Sequence, residues 1–248
     1  MEKGISFETK YIEKYLGEIE KIEIETIVNE IDNYEYVIPK FEEEISTFNK
    51  QATEEELMSI RRYTGYNFRR INAILRNNWN YEEHGKKDED TVNELKEDIS
   101  IIDRMFNIFP KTRKPFITYR GTSIESFRKY NIINIEDLES LKGKCLYESG
   151  YTSTSINEEE SYFGKKINDK QMNIEIKYII IPNSQDGIPL ITNDLSYSKS
   201  QQEYLINRSS LSKVIDVEII NNTAIITAVL IPRSIWNKQD YQDNKKRL

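Results

Sequence analysis

The chain has 248 residues, of which 35 are basic and 42 acidic, so its formal net charge is −7. This balance argues against a protein that binds duplex nucleic acid, because nonspecific affinity for nucleic acids depends largely on Lys and Arg. The single cysteine, Cys145, excludes an intrachain disulfide, and no apolar run approaches the roughly 20 residues that a membrane-spanning helix needs. We therefore expect a soluble protein that packing stabilises.

The first part of the chain, residues 6–78, has the pattern of helices. Apolar side chains such as Tyr11, Tyr15 and Ile19 recur every three or four residues. Residues 53–56, Thr-Glu-Glu-Glu, fit a capping box that opens a helix. Gly65 predicts a break, after which a second helix runs to about residue 78.

A further capping box at residues 91–94, Thr-Val-Asn-Glu, predicts a helix that ends near Phe109, before Pro110. The charged segment 80–90 between these helices has the composition of a loop. It contains the only histidine, His84. A lone histidine in such a segment favours a solvated side chain over a ligand, so we expect His84 to lie in solvent.

After Pro115 the pattern changes to strands, since residues 116–119 and 174–181 are rich in β-branched and aromatic side chains. Residues 214–220 and 223–231 flank Asn221-Asn222, which suits the tight turn of a hairpin. We expect one α+β domain over residues 1–248. It would comprise a helical lobe (about 1–110) packed on a mainly antiparallel β-sandwich core (about 115–235), and a charged tail (237–248).

The most informative segment is residues 200–206, Ser-Gln-Gln-Glu-Tyr-Leu-Ile. Read as a strand, it places Gln201 and Glu203 on one face, because side chains alternate along a strand. A carboxylate and a carboxamide on one face can contact the same small ligand. By itself, a Gln-x-Glu sequence is more typical of an exposed strand.

Two upstream motifs accompany this pair. In Tyr-Arg-Gly, Arg120 supplies a planar guanidinium that suits a phosphate, and Gly121 permits a close backbone approach. In Ser-Thr-Ser, at residues 153–155, alternate hydroxyl groups can orient a carboxylate and brace neighbouring strands.

Taken in this order, the arginine, the Ser-Thr-Ser and the Gln-x-Glu resemble the signature of bacterial mono-ADP-ribosyltransferase exotoxins. The resemblance is strongest to the clostridial Rho-modifying exoenzymes and to the catalytic components of binary toxins. It implies the ADP-ribosyltransferase fold, NAD+ as substrate and no metal. It also implies that Glu203 stabilises the cation-like ribose, that Ser153 orients Glu203, and that Arg120 anchors the NAD+ diphosphate or the adjoining ribose, with Gly121 and Thr154 beside it.

A fourth similarity lies in the helical lobe, where Tyr63-Thr64-Gly65 and the later Asn72 and Arg76 look like the segment with which these toxins cover NAD+. Asn72 and Arg76 are four residues apart, hence on one helical face. The resemblance implies that Tyr63, Asn72 and Arg76 contact the cofactor. It also implies a loop after Ser-Thr-Ser that carries an aromatic residue, Phe163, and a basic residue, Lys165 or Lys166, towards the nicotinamide and phosphate.

The residue at position 201 indicates the chemical class of the acceptor. Members of the family that modify arginine usually carry a second glutamate at this position, where this chain has Gln201. The resemblance implies transfer to an Asn or Gln side chain of a host protein, with a Rho-type GTPase or actin as candidates. Gln201 and Tyr197 would recognise this acceptor. Ser198 and Ser200 depart from the Rho-modifying pattern. Guanine-nucleotide modification, NAD glycohydrolase activity and a noncatalytic interaction module of the same fold remain alternatives.

The amino-terminal residues lack the apolar core of a secretory signal. By resemblance we still expect a virulence factor that is secreted or delivered into a host cell. A separate component would then deliver it.

Overall fold

The computed structural model describes six stretches of the chain. They are residues 34–111, 114–167, 170–181, 186–192, 194–197 and 199–233. The first predicted helical residues, 6–33, and the predicted tail at 237–248 lie outside the described residues. Within these stretches no helix is long and apolar enough to cross a membrane.

The amino-terminal part of the described chain is helical. Its elements are α1 (Tyr34–Asn49), α2 (Glu54–Arg62), a π-helical turn (Tyr63–Asn67), α3 (Phe68–Arg76), α4 (Tyr81–His84) and α5 (Glu89–Ile108). The capping box of α2 is present as predicted. The Glu56 N–H donates to Thr53 Oγ1, and the Thr53 N–H donates to the Glu56 carboxylate at 2.8 Å.

The predicted break at Gly65 is wrong, because the backbone remains helical through this residue. A π-helical turn of five residues joins α2 directly to α3. Such a turn places one extra residue in the helix and is frequent at functional sites. Here it allows Tyr63 and Asn67, both buried, to face the protein interior.

The predicted start of α5 is also wrong. The helix begins at Glu89, two residues before Thr91, because the Asp88 carboxylate accepts a hydrogen bond from the Thr91 N–H at 2.9 Å and caps the helix. His84 is buried, not solvated. Asn80 caps the short helix α4, which folds the imidazole back onto Trp79, with 5.4 Å between the ring centroids.

The carboxyl-terminal part of the chain forms strands. They are β1 (Phe116–Thr122), β2 (Cys145–Glu148), β3 (Thr152–Ser155), β4 (Lys166–Ile167), β5 (Lys170–Gln171), β6 (Ile174–Ile180), β7 (Gly187–Leu190), β8 (Glu203–Ile206), β9 (Ser210–Ile220) and β10 (Thr223–Leu230). Eight of them follow the order β2-β9-β10-β6-β1-β3-β8-β7, and β4 pairs with β5. Among these described pairs, only β6 with β10 is parallel.

Two parts of the sheet meet at a single residue pair, Tyr119 on β1 opposite Ser155 on β3. The predicted hairpin joins β9 to β10, and Asn221 and Asn222 have φ angles of 46° and 63°. Positive φ at both turn positions matches the twist of the flanking strands. The α+β fold class, with a helical lobe and a mainly antiparallel β core, is confirmed.

Aromatic side chains join the helical lobe to the β core. Phe41 of α1 packs against Phe116 of β1 and Tyr204 of β8, with ring centroids 5.2 and 6.0 Å away. A second apolar cluster lies under the 3₁₀ helix Glu136–Leu141 and includes Val214. The strands that carry the motifs are therefore fixed on the same core as the helices.

Candidate active site

The three sequence motifs lie on neighbouring strands. Arg120 is on β1, Ser153 on β3 and Glu203 on β8, and β3 lies between the other two. Arg120 Nη1 donates to the Ser153 carbonyl oxygen at 2.6 Å, and Ser153 Oγ donates to Glu203 Oε1. The fold thus links an arginine, a serine and a glutamate that are far apart in sequence.

Glu203 is a buried carboxyl group at the end of this chain of contacts. Burial raises its pKa to about 7, while the Ser153 hydrogen bond and the Arg120 charge act in the opposite direction. The carboxylate therefore changes its charge near neutral pH. A carboxylate that is shielded from water and oriented by a hydrogen-bond donor can interact strongly with a positive charge.

The predicted strand begins later than the sequence pattern indicates. Gln201 ends a short 3₁₀ turn (Lys199–Gln201), Gln202 has a φ of 43°, and β8 starts at Glu203. The prediction that Gln201 and Glu203 share one strand face is therefore wrong, because the left-handed Gln202 breaks the extended backbone. Ser155 Oγ donates to the Gln201 carbonyl oxygen at 2.9 Å and fixes this turn.

Thr154 has a different environment from Ser153. Its side chain is buried, and Oγ1 donates to the Tyr204 carbonyl oxygen at 2.7 Å. Successive side chains on a strand point to opposite faces. Thr154 therefore braces β3 against β8, and the structure does not place it on the face that Ser153 shares with Glu203.

Arg120 lies inside β1, which continues to Thr122 and so runs three residues beyond the strand pattern seen at residues 116–119. The close approach at Gly121 is made by the protein's own backbone. The Gly121 N–H donates to the Ser161 carbonyl oxygen, and a Cβ on Gly121 would lie 2.3 Å from the Phe163 nitrogen. The glycine thus holds the segment after Ser-Thr-Ser against β1.

A cleft of about 440 Å³ opens beside Arg120. Four cations line it, Arg76, Arg120, Lys129 and Lys170, together with the carboxylates of Glu125 and Glu148 and with serine, threonine and tyrosine side chains. This set of donors is suited to a phosphate-containing ligand. Among the residues that the structure describes, no group of three His, Cys, Asp or Glu is placed to hold a metal ion.

The helical lobe contributes two side chains near the active-site strands, Asn72 on α3 and Tyr63 in the π-helical turn. Asn72 is buried; its amide donates to Tyr63 Oη at 3.3 Å and accepts from the Tyr151 N–H at 2.8 Å. Burial raises the pKa of the Tyr63 phenol, and the nearby Glu203 carboxylate adds to this effect. Tyr63 thus lies close to Glu203, and both Tyr63 and Asn72 make their hydrogen bonds within the protein itself.

Arg76, which the resemblance predicts to contact NAD+, lines the cleft. Its Nε donates to Glu148 Oε1 at 2.9 Å, and Lys129 Nζ lies 3.8 Å from the other oxygen of that carboxylate. These cations hold the pKa of Glu148 below its usual value, although burial opposes them. Glu148 is a site residue that the sequence analysis missed, because nothing in the pattern around it distinguishes it from a strand-end glutamate.

The loop after Ser-Thr-Ser carries a second aromatic residue, Tyr162, directly before the predicted Phe163. Phe163 is half-buried, whereas the neighbouring Tyr162 accepts a hydrogen bond from Gln201 Nε2 at 2.5 Å. Lys165 Nζ lies 5.2 Å from the centre of the Tyr162 ring. The adjacent pair of aromatic residues in the sequence was the available signal for Tyr162.

Tyr197 is exposed over 75% of its surface. Its backbone N–H donates to Thr64 Oγ1 at 3.0 Å, and its ring lies over Gly65 in the π-helical turn. The segment before Gln201 is therefore attached to the helical lobe. An exposed aromatic side chain on this attached segment is suited to contact with another molecule.

Comparisons with known proteins agree with this description. The family model described as ADP-ribosyltransferase exoenzyme matches residues 40–247. The comparison with curated proteins gives no match.

Solved structures of three bacterial proteins have a similar fold. Plx2a of Paenibacillus larvae is 23% identical, with a TM-score of 0.60 over 82% of this chain and 98% of its own. The C3 exoenzyme of Clostridium limosum is 23% identical, with a TM-score of 0.62 over 82% and 96%. C3stau2 of S. aureus, solved with NAD, is 19% identical, with a TM-score of 0.60 over 77% and 92%.

Proposed function

The chain belongs to the ADP-ribosyltransferase exoenzyme family, and we propose that it transfers ADP-ribose from NAD+ to an Asn or Gln side chain of a host protein. The single observation that carries this proposal is the buried Glu203 carboxyl group and its contacts. The Ser153 hydroxyl group donates a hydrogen bond to Glu203, and Arg120 donates one to the Ser153 carbonyl oxygen. The presence of NAD in the similar C3stau2 structure supports NAD+ as the substrate.

In this reaction the bond between the nicotinamide nitrogen and ribose C1′ breaks, and nicotinamide leaves with the electron pair. The ribose then carries positive charge, which the Glu203 carboxylate stabilises. A carboxamide nitrogen of the acceptor forms the new bond to C1′ and releases one proton. Ser153 holds Glu203 in position throughout, as a hydrogen-bonded second group does in many active sites.

The cleft beside Arg120 would hold the dinucleotide. Arg120 and Arg76 line it and would bind the diphosphate, and Arg76 would exchange its contact with Glu148 for a contact with the ligand. Asn72 and Tyr63 would support this surface, and Phe163 would approach the nicotinamide. No further cofactor is needed for the reaction as written.

Gln201 and Tyr197 would recognise the acceptor. A neutral carboxamide can donate and accept hydrogen bonds, so it complements the amide of an Asn or Gln side chain. We take a Rho-type GTPase as the first candidate, because the motif pattern resembles the enzymes that modify these proteins. Secretion, and delivery into a host cell by a separate component, belong to the same proposal.

We expect the replacement of Gln201 by alanine to separate transfer from NAD+ hydrolysis. Transfer to protein should fall by about 100-fold, because the acceptor amide loses its hydrogen-bonding partner, while nicotinamide release in the absence of acceptor should fall far less. Both rates are measured on the same protein preparation, as labelled protein and as free nicotinamide. Equal losses in the two rates would show that Gln201 has no role in acceptor recognition.

A further inference from the structure

The side chain of Gln201 has a partner on a different loop. Its Nε2 donates to Tyr162 Oη at 2.5 Å. Tyr162 lies in the segment that follows Ser-Thr-Ser, whereas Gln201 precedes β8. Tyr162 is 39% exposed, so the contact lies at the surface of the site, where an acceptor must arrive.

The segment that carries Tyr162 is fixed at its base. The Ser161 carbonyl oxygen accepts from the Gly121 N–H, and Ser161 Oγ donates to Glu175 Oε1 at 3.1 Å. Glu175 is only 1% exposed, on β6. Contacts with both β1 and β6 therefore set the position of Tyr162.

The backbone of Tyr162 has a φ of 66°, a left-handed conformation that is unfavourable for an aromatic residue. Such a conformation persists only where the surrounding contacts determine it. The Lys165 ammonium group lies 5.2 Å from the ring centre and faces the same ring. The phenol is thus held in one place before any ligand binds.

Gln201 is held at two separate points. Ser155 Oγ fixes its carbonyl oxygen, and Tyr162 Oη fixes its side-chain nitrogen. With Nε2 engaged in this way, the amide oxygen is the group that can accept a hydrogen bond from the N–H of an incoming carboxamide. The contact therefore determines which end of the Gln201 amide meets the acceptor.

Resting on the proposed function, we propose that Tyr162 is a positioning residue for acceptor selection. It acts through Gln201, by holding the amide with its oxygen towards the acceptor. It links the loop after Ser-Thr-Ser to the turn before β8. Tyr162 has no part in breaking the bond to nicotinamide.

Replacement of Tyr162 by phenylalanine removes the hydroxyl group and keeps the ring over which Lys165 lies. With labelled NAD+ and a eukaryotic cell lysate, we expect label on protein to fall about tenfold, the effect of one lost hydrogen bond. Nicotinamide release without lysate should fall by at most about threefold. Tyr81→Phe, a change at a tyrosine that is 72% exposed, is the matched control and should alter neither rate.

A double-mutant cycle tests whether Tyr162 acts through Gln201. In the Gln201→Ala protein, the further change Tyr162→Phe should cause no additional loss of transfer. Additive losses, or an equal fall in nicotinamide release, would overturn the proposal.

The contact between Gln201 and Tyr162 can be tested without any acceptor. The test follows the NMR signals of the side-chain amides in ¹⁵N-labelled protein. The Gln201→Ala protein identifies the Gln201 signal. We expect Tyr162→Phe to shift it and Tyr81→Phe to leave it in place. An unshifted Gln201 signal would overturn the proposal for Tyr162. A wild-type protein that labels nothing in the lysate would count against the proposed function instead, and the NMR test would still decide the role of Tyr162.

Discussion

Replacement of Glu203 by glutamine should lower the rate of nicotinamide release by about 100- to 1,000-fold. Glutamine has the same shape and can still accept the Ser153 hydrogen bond, but it cannot stabilise a positively charged ribose. Binding of NAD+ should remain nearly unchanged, because the lost interaction forms only in the transition state. Nicotinamide release and NAD+ binding are measured separately, by product analysis and by calorimetry.

The matched control is Glu97→Gln, which makes the same chemical change at an exposed position on α5. This variant should release nicotinamide at the wild-type rate. A Glu203→Gln protein that folds, binds NAD+ and retains full turnover would show that Glu203 is not the catalytic carboxylate.

The raised pKa of Glu203 adds a pH dependence to this prediction. With a pKa of about 7, the group loses its proton as the pH rises through neutrality. The kcat/KM for nicotinamide release should therefore decline below pH 7 in the wild-type protein, since kcat/KM reports the free enzyme. A flat profile from pH 6 to pH 8 would contradict the assignment.

The raised pKa of Glu203 also affects the stability of the fold, which should decrease over the pH range in which activity increases. A carboxyl group whose folded pKa is raised stabilises the fold fully below the unfolded pKa, near 4.5, and this contribution is lost as the pH rises through about 7. At pH 8 the wild-type protein carries the cost of a buried charge, which Glu203→Gln removes. We expect the variant to have the higher free energy of unfolding at pH 8, by roughly 2–3 kcal/mol, and a smaller advantage at pH 5.

Replacement of Arg120 by lysine should raise the KM for NAD+ by about 10- to 100-fold, with a smaller effect on kcat. Lysine keeps the charge but cannot form two parallel hydrogen bonds with a phosphate. It also offers a single donor group, which must serve both the Ser153 carbonyl oxygen and the ligand. Steady-state kinetics of nicotinamide release over a range of NAD+ concentrations gives both constants.

Arg69→Lys provides the control for this experiment, because Arg69 is exposed on α3. It should leave KM unchanged. If Arg120→Lys also leaves KM unchanged, the diphosphate does not bind at Arg120, and the cleft beside it is not the NAD+ site.

Local signals in the sequence predicted much of the fold. The capping box at Thr53 and the two asparagines of the β9–β10 hairpin act within a few residues, so their structures follow from sequence alone. The ordered motifs also identified Arg120, Ser153 and Glu203, which three neighbouring strands bring together. Arg120 contacts the Ser153 backbone, and the Ser153 side chain contacts Glu203, because the strands pair. Strand order was not visible in the sequence.

Two of the errors occurred where backbone conformation depends on distant contacts. The left-handed Gln202 and the π-helical turn at Gly65 are each held by residues from another part of the chain: Gln202 O accepts from the Ile156 N–H, and Gly65 lies under Tyr197. His84 is buried because Asn80 and Trp79 fold around it. The same reason explains why Tyr162 was missed, since its role depends on a contact with Gln201.

The most direct measurement is to incubate the purified protein with NAD+ labelled in its adenylate group and a eukaryotic cell lysate, and to locate the label by mass spectrometry. We predict release of nicotinamide and ADP-ribose on an Asn or Gln side chain of one protein, both absent with Glu203→Gln. Label on a guanine nucleotide or on arginine would contradict the proposed acceptor. Nicotinamide release without label would identify a glycohydrolase, and no turnover at all would contradict the central claim that the chain is an enzyme acting on NAD+.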